Sequence, residues 1–257
     1  MSVLDEIIVG VREDLAARRI SKAQLAGLIA AAPPPLDALD YLRGENISVI
    51  AEVKRSSPSK GMLAEISDPA ALAKIYQDNG ASVISVLTEG RRFGGSLADL
   101  DAVRKSVTIP VLRKDFMVDE YQFHEARAHG ADLVLLIVAA LSKDQLRDFL
   151  ALTHELGMKA LVEVHTEDEL WQSLDVSAQI IGVNSRNLKT LDVDSKVFAK
   201  LLPKIPDHIL KIAESGISSR VDVEYTRLYG ADAVLVGEAL VRGSDPGTAL
   251  RALMGQG

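Results

Sequence analysis

The chain has 257 residues, with 36 Asp and Glu against 29 Lys and Arg for a formal charge of −7, no cysteine, one tryptophan and 4% aromatic residues. This composition excludes disulfides, a thiolate nucleophile and a Cys-based metal site, and it argues against nucleic acid, whose binders carry a basic stripe or aromatic stacking platforms. With 47% hydrophobic residues the chain can bury a sizeable core, and its length fits either one α/β barrel of about 250 residues or two smaller domains.

The opening MSVLDEIIVGVRED puts Asp5 and Glu6 where a secretory signal needs positive charge. No apolar run approaches the roughly 18 residues of a membrane helix, so a cytoplasmic protein without membrane contact is expected. Leu4, Ile7, Ile8, Val11 and Leu15 recur at helical spacing, and AAPPP at Ala31 to Pro35 ends a second helical stretch. Residues 1–46 are therefore expected to form a helical extension docked on the rest of the chain.

From there, eight short β-branched, apolar runs appear: SVIAEV from Ser48, SVISVL from Ser82, IPVLRK from Ile109, DLVLLIV from Asp132, MKALVEV from Met158, QIIGVN from Gln179, ILKIAES from Ile209 and DAVLVG from Asp232. Near-continuous apolar runs of this length fit parallel strands buried on both faces. The segments between them have helical spacing, and several begin at Asp, Ser or Thr and end at Gly, which is cap chemistry. Three joins echo one another: NGASVISVL, HGADLVLLI and YGADAVLVG. Strand then helix, eight times over, predicts an α/β fold, a single (β/α)8 TIM barrel over 47–257 with the N-terminal helical extension. A doubly wound sheet is the alternative, but its first strand should run into a Gly-rich turn, whereas here it runs into KRSSPSKG. Trp171 and Phe149 are expected on helix faces that pack against the core.

In a barrel, alternate strand residues point into the lumen, and those at the C-terminal strand ends line the active site. Glu52 with Lys54, Lys114 with Phe116, Glu163, Asn184 with Arg186, and Glu214 all take the inward parity at those ends. Arg113 takes the opposite parity and is expected to be structural. Burying charges costs several kcal/mol each unless they are paired, so a set of this size converging on one mouth points to chemistry. Lysines among carboxylates can act as general acids or bases; a Schiff-base aldolase would also place a lysine on a barrel strand. The last two strands are followed by Ser215-Gly216 and by Gly237 and Glu238, where backbone N–H groups suit a phosphate. Glu238 fits there only if its side chain turns away and leaves its N–H at the ligand. Phe93 and Phe116 follow strand ends, where they can either flank an aromatic substrate or pack in the core. The five histidines, His124, His129, His154, His165 and His208, show no ligand spacing, so no metal is expected.

These residues resemble the indole-3-glycerol phosphate synthase family of tryptophan biosynthesis. The motifs that carry the resemblance span the barrel in order: IAEVKRSSPSKG from Ile50, SVLTEGRRFGGS from Ser85, PVLRKDFMVDEYQ from Pro110, GADLVLLIV from Gly130, LVEVHTEDEL from Leu161, IGVNSRNLKTLDVD from Ile181, IAESGI from Ile212 and LVGEALV from Leu235. The resemblance implies a carboxy-lyase that closes 1-(2-carboxyphenylamino)-1-deoxyribulose 5-phosphate, a phosphorylated aminoketose, to an indole without a cofactor. It implies Lys114 as general acid, Lys54 and Glu163 in the dehydration, Glu52 and Asn184 as orienting groups, and Glu214 and Arg186 in support. Phosphate would rest on Ser57, Ser215, Gly216, Gly237 and the Glu238 N–H, with Phe93 and Phe116 beside the anthranilate ring. Two departures stand out. Ser185 replaces a second Asn found in many members, at a position facing away from the lumen, and RRF replaces a more aromatic run around Phe93. The rivals are another phosphate-handling barrel, such as an aminoketose isomerase or a Schiff-base aldolase, and a barrel that only binds an anion. A free-standing monofunctional monomer is expected.

Overall fold

A computed structural model describes residues 2–256 apart from Lys189 and Ser244. Three helices come first: α1 (Val3–Arg18), α2 (Lys22–Ala31) and α3 (Ala38–Leu42). Ser2 and Ser21 start α1 and α2 with capping boxes, in which each serine side chain and the residue three further on satisfy one another's free backbone N–H. Next come β1 (Ser48–Val53) and a small hairpin, β2 (Ser56–Ser57) with β3 (Gly61–Met62). The chain then alternates through α4 (Pro69–Asp78), β4 (Val83–Leu87), α5 (Leu97–Ser106), β5 (Val111–Lys114), α6 (Glu120–Ala128), β6 (Leu133–Ile137), α7 (Lys143–Glu155), β7 (Lys159–Val164) and α8 (Glu167–Asp175). It finishes with β8 (Ile180–Asn184), α9 (Lys196–Leu201), β9 (Leu210–Glu214), α10 (Arg220–Leu228), β10 (Ala233–Val236), α11 (Glu238–Val241) and α12 (Pro246–Met254).

Eight parallel strands close into a barrel in the order β1, β4, β5, β6, β7, β8, β9, β10 and back to β1. Every one falls within a run expected from the sequence. The hairpin β2–β3 lies in polar KRSSPSKG, which carries no alternating apolar pattern to announce it. The three echoed joins have a common cause: Gly80, Gly130 and Gly230 take left-handed φ values of +97°, +75° and +92°, ending a helix and turning the chain into the next strand. In two of them the following aspartate ties neighbouring strands together, Asp132 accepting from the Val111 N–H and Asp232 from the Lys211 N–H.

Strand parity sorts the interior into two cores. Outward residues such as Ile84, Val134, Val162, Ile181 and Val234 pack under the helix ring. Inward residues Ile50, Val83, Leu112, Leu133, Leu161, Ile180 and Leu210 fill the lumen, together with Leu4, Ile7 and Val11 of α1 and Ala38 and Leu42 of α3. The extension thus covers both ends of the barrel. Near the strand starts, the Leu36 N–H donates to Asp132 and Arg43 donates to the His208 carbonyl. At the opposite end α1 is held by ion pairs of Arg91 with Glu13 and Asp14, of Arg92 with Glu6 and of Arg18 with Glu125.

Arg113, opposite in parity to Lys114, is fully buried among Asp115, Glu125 and the Gln122 carbonyl, the structural role expected of it. Phe149 is buried against Phe123, with ring centroids 4.8 Å apart. Trp171 is different and corrects the expectation: it is 49% exposed. Helix α8 buries Leu170 and Ser173, and Trp171 lies one residue on, about 100° around the helix from Leu170. No helix among the described residues is long and apolar enough to cross a membrane.

Candidate active site

The C-terminal strand ends surround an open cavity with about 1070 Å³ of empty space. All fourteen residues singled out from the sequence line it: Glu52, Lys54, Ser57, Phe93, Lys114, Phe116, Glu163, Asn184, Arg186, Glu214, Ser215, Gly216, Gly237 and Glu238. Val3, Leu4 and Ile7 of α1 roof the same space. The family resemblance implies such a partial cover by the N-terminal extension; helical spacing alone shows which face a helix buries, not which end of the barrel it covers.

At the centre, Lys114 Nζ lies 3.5 Å from Glu163 Oε2 and 3.7 Å from Glu214 Oε2. Lys54 Nζ pairs separately with Glu52 Oε2 at 2.7 Å. Burial pushes the Lys114 ammonium toward losing its proton, but the charges of Glu163, Glu214 and Glu52 outweigh it and hold the pKa above the usual lysine value. Lys114 is therefore a cation at neutral pH. Burial also pushes the Glu163 carboxyl up, yet Lys114, His165 and Asn184 bring it below the usual carboxylate range. Glu214 goes the other way: burial and the adjacent Glu163 charge raise it well above that range.

Two glycines make this density of carboxylates possible. A Cβ on Gly182 would sit 2.0 Å from Glu214 Oε1, and one on Gly237 would sit 2.7 Å from Glu52 Oε2. Glycine inside or just after a strand marks a close approach of this kind.

Ser57 follows β1, Ser215 and Gly216 follow β9, and Gly237 and Glu238 follow β10, three neighbouring strands that bring these residues to one sector of the mouth. Ser57 Oγ is buried there without a hydrogen-bond partner. A buried hydroxyl left without a partner beside a cavity is one that a ligand can satisfy. Ser215 and Gly216 both have left-handed φ values, +66° and +71°. Glu238 turns its carboxylate onto Lys60 and Arg242.

Arg186 Nη1 donates to Ser59 Oγ and the Leu191 carbonyl, and the Arg186 N–H donates to Asn184 Oδ1 at 2.9 Å. On the opposite side Phe93 and Phe116 lie with ring centroids 6.0 Å apart and planes tilted by 41°. Sequence reasoning missed what holds Phe93. The buried Glu89 accepts from the N–H groups of Arg91, Arg92 and Phe93 at 2.9, 2.7 and 3.0 Å, clamping the turn after β4. Among the described residues, no group of three or more His, Asp and Glu side chains is arranged to hold a metal ion.

The family profile for indole-3-glycerol phosphate synthase matches residues 4–253. Among similar proteins, indole-3-glycerol phosphate synthase of Micrococcus luteus is 60% identical over 98% of this chain and 97% of its own length. That of Rhodococcus jostii and indole-3-glycerol phosphate synthase 1 of Streptomyces coelicolor are each 58% identical over 100% of this chain and 96% of theirs. Among solved structures, a 3-hexulose-6-phosphate synthase superposes with a TM-score of 0.66 at 16% identity, over 82% of this chain and 99% of its own. The N-acetylmannosamine-6-phosphate 2-epimerase of Clostridium perfringens gives 0.62 at 14%, over 80% and 92%. At such identities the two structures speak to the barrel fold alone.

Proposed function

The chain belongs to the indole-3-glycerol phosphate synthase family, a family of carboxy-lyases, and from that premise we propose how its cavity turns 1-(2-carboxyphenylamino)-1-deoxyribulose 5-phosphate into indole-3-glycerol phosphate, carbon dioxide and water. The observation that carries the reading is Lys114 held between Glu163 and Glu214 at the cavity floor, where their charges keep its pKa raised and favour its ammonium form. Its proton goes to the substrate's ketone oxygen as the ring carbon bearing the carboxylate attacks the ketone carbon, so the alkoxide forms as a hydroxyl. Loss of carbon dioxide from the same ring carbon leaves its electron pair to restore aromaticity. Lys54, fixed by Glu52, then protonates the departing hydroxyl, and the ionised Glu163 takes a proton from the methylene carbon beside the ring nitrogen, so that the indole double bond closes and the N–H stays in place. A positioned acid or base of this kind is worth about 10²–10⁴-fold in rate.

Ser57, Ser215, Gly216, Gly237 and the Glu238 N–H receive the phosphate. The partnerless Ser57 hydroxyl and the averted Glu238 carboxylate support that assignment. Asn184 and Arg186 meet the substrate's hydroxyl and carboxylate, and Phe93 and Phe116 flank the anthranilate ring. Residues 1–46 and 47–257 work as one domain, because α1 roofs the cavity. A single chain supplies all of these groups, which supports a monomer, and the biosynthetic role supports a cytoplasmic location.

A Schiff-base aldolase reading is disfavoured by the same lysine, since imine formation needs a neutral amine. The test is to mix the purified protein with the aminoketose and follow indole fluorescence and carbon dioxide together. One equivalent of each per substrate is expected, and borohydride should trap nothing. A borohydride adduct on Lys54 or Lys114, or substrate consumed without indole, overturns the proposal.

A further inference from the structure

Glu163 is gripped from two sides. Lys114 approaches Oε2, and on the other side His165 approaches Oε1, its Nε2 lying 3.4 Å away. His165 stands two residues beyond Glu163, just past the end of β7, and its side chain is only 11% exposed. The ring is not free to choose this orientation. Glu169 Oε2, in the first turn of α8, accepts from the His165 backbone N–H at 2.7 Å and lies 3.2 Å from the ring Nδ1. One carboxylate oxygen thus fixes both the backbone and the inner edge of the imidazole. With Nδ1 directed at Glu169, Nε2 can only face Glu163, and it has no hydrogen-bond partner of its own.

We infer that His165 is a positioning residue for the reaction: held by Glu169, it presents Nε2 to Glu163, stabilises that carboxylate and fixes which of its oxygens is presented to the substrate. The inference rests on the reading of Glu163 as the base. Its logic is that of a carboxylate oriented by a third group, in which the outer partner acts through the inner one.

The charges around the imidazole support the cationic form. Glu163 faces it from its own strand and Glu169 from α8, while Lys114 on β5 repels it; Asn184 on β8 and Glu214 on β9 act on Glu163 in turn. Burial lowers its pKa, as does Lys114, but the contacts with Glu169 and Glu163 outweigh both and raise it above 6.5. Without His165, Glu163 would share its hydrogen-bonding and charge demands between Lys114 and Asn184 alone, beside the carboxyl of Glu214.

Three variants test this: His165→Leu, His165→Gln, whose amide can still donate toward Glu163, and Glu163→Gln as reference. Steady-state rates are measured from pH 3.5 to 8.5 by indole fluorescence, with circular dichroism to verify folding at each pH. An opposite charge within 4–6 Å typically moves a carboxyl pKa by about 1–3 units, so both His165 variants should shift the acid limb of kcat upward by about one unit. In His165→Leu, kcat should fall roughly tenfold while KM stays near wild type, and His165→Gln should recover part of that rate without restoring the limb. A role limited to anchoring the start of α8 would lower stability or raise KM and leave the limb where it is. An unmoved acid limb in the folded variants, His165→Gln deciding alone if His165→Leu fails to fold, overturns the inference. Wild-type turnover in Glu163→Gln overturns instead the assignment of Glu163 on which it rests.

Discussion

Gly182→Ala perturbs the cavity floor without removing a functional group. Gly182 has inward parity on β8, and the missing side chain leaves the space that the Glu214 carboxylate occupies. The alanine Cβ would lie 2.0 Å from Glu214 Oε1 and 3.0 Å from Leu161 Cδ1. Non-bonded contacts to Cβ essentially never fall under 3.0 Å, so the carboxylate must retreat by at least 1 Å. It stands 3.7 Å from Lys114 Nζ, and Lys114 in turn stands 3.5 Å from Glu163, so the displacement passes directly into the surroundings of Lys114. A misplacement of about 1 Å in a catalytic constellation costs about 10²-fold, and one methyl too many in a packed interior costs about 1–3 kcal/mol. For a chain of this size that corresponds to a Tm lowered by roughly 2–4 °C per kcal/mol. The assay is kcat and KM by indole fluorescence on the folded variant, alongside a thermal scan. The expected result is a kcat loss far larger than any change in KM, with the fold retained. Wild-type kcat together with wild-type Tm would refute the view that Gly182 exists to make room for Glu214.

Three further outcomes are expected from the surroundings of the site. Arg113→Met leaves Glu125 and Asp115 without their buried cation, and since breaking a buried pair costs about 3–5 kcal/mol, its denaturation midpoint should fall well below wild type; an unchanged midpoint contradicts the pairing. Glu125 is pushed up by burial, but Arg18 and Arg113 hold it below its usual value of 4.5, so the stability it contributes is complete above about pH 4.5 and is lost as the pH falls further. Denaturant midpoints followed from pH 7 to 3 should show that acid-side loss, and Glu125→Gln should flatten it. Glu89→Ala releases three N–H groups around Phe93; because bonds to a charged acceptor are worth about 1.5–3 kcal/mol each, KM should rise about tenfold or more, while an unaltered KM argues against a role for Phe93 in binding.

Most of the barrel is legible in the sequence because strand parity is a strict rule: once the eight apolar runs are recognised, Ile50, Leu112, Leu161 and Ile212 go to the lumen, and Lys54, Lys114, Glu163 and Glu214 accompany them to its mouth. Parity gives direction but not pairing. It cannot show that Lys54 pairs with Glu52 while Lys114 stands between Glu163 and Glu214, because those distances depend on strand stagger. His165 shares the parity of Glu163, so a signal is present, but its anchor Glu169 reads from sequence as an ordinary acidic residue in a helix's first turn. Trp171 is misplaced by sequence reasoning because its large aromatic ring suggests the core, whereas the buried face of α8 runs through Leu170 and Ser173 and Trp171 lies about 100° around the helix from it. The net charge of −7 is uninformative about the pocket, where Lys54, Lys114 and Arg186 gather locally.

The assignment of Lys114 as the proton donor is tested most directly by Lys114→Met, which keeps the side chain's bulk and removes its charge. The measurement is single-turnover formation of indole fluorescence at saturating aminoketose, with the fold verified by circular dichroism. Loss of a general acid predicts a rate lower by about 10²–10⁴-fold. A folded Lys114→Met protein that forms indole at the wild-type rate would contradict the account.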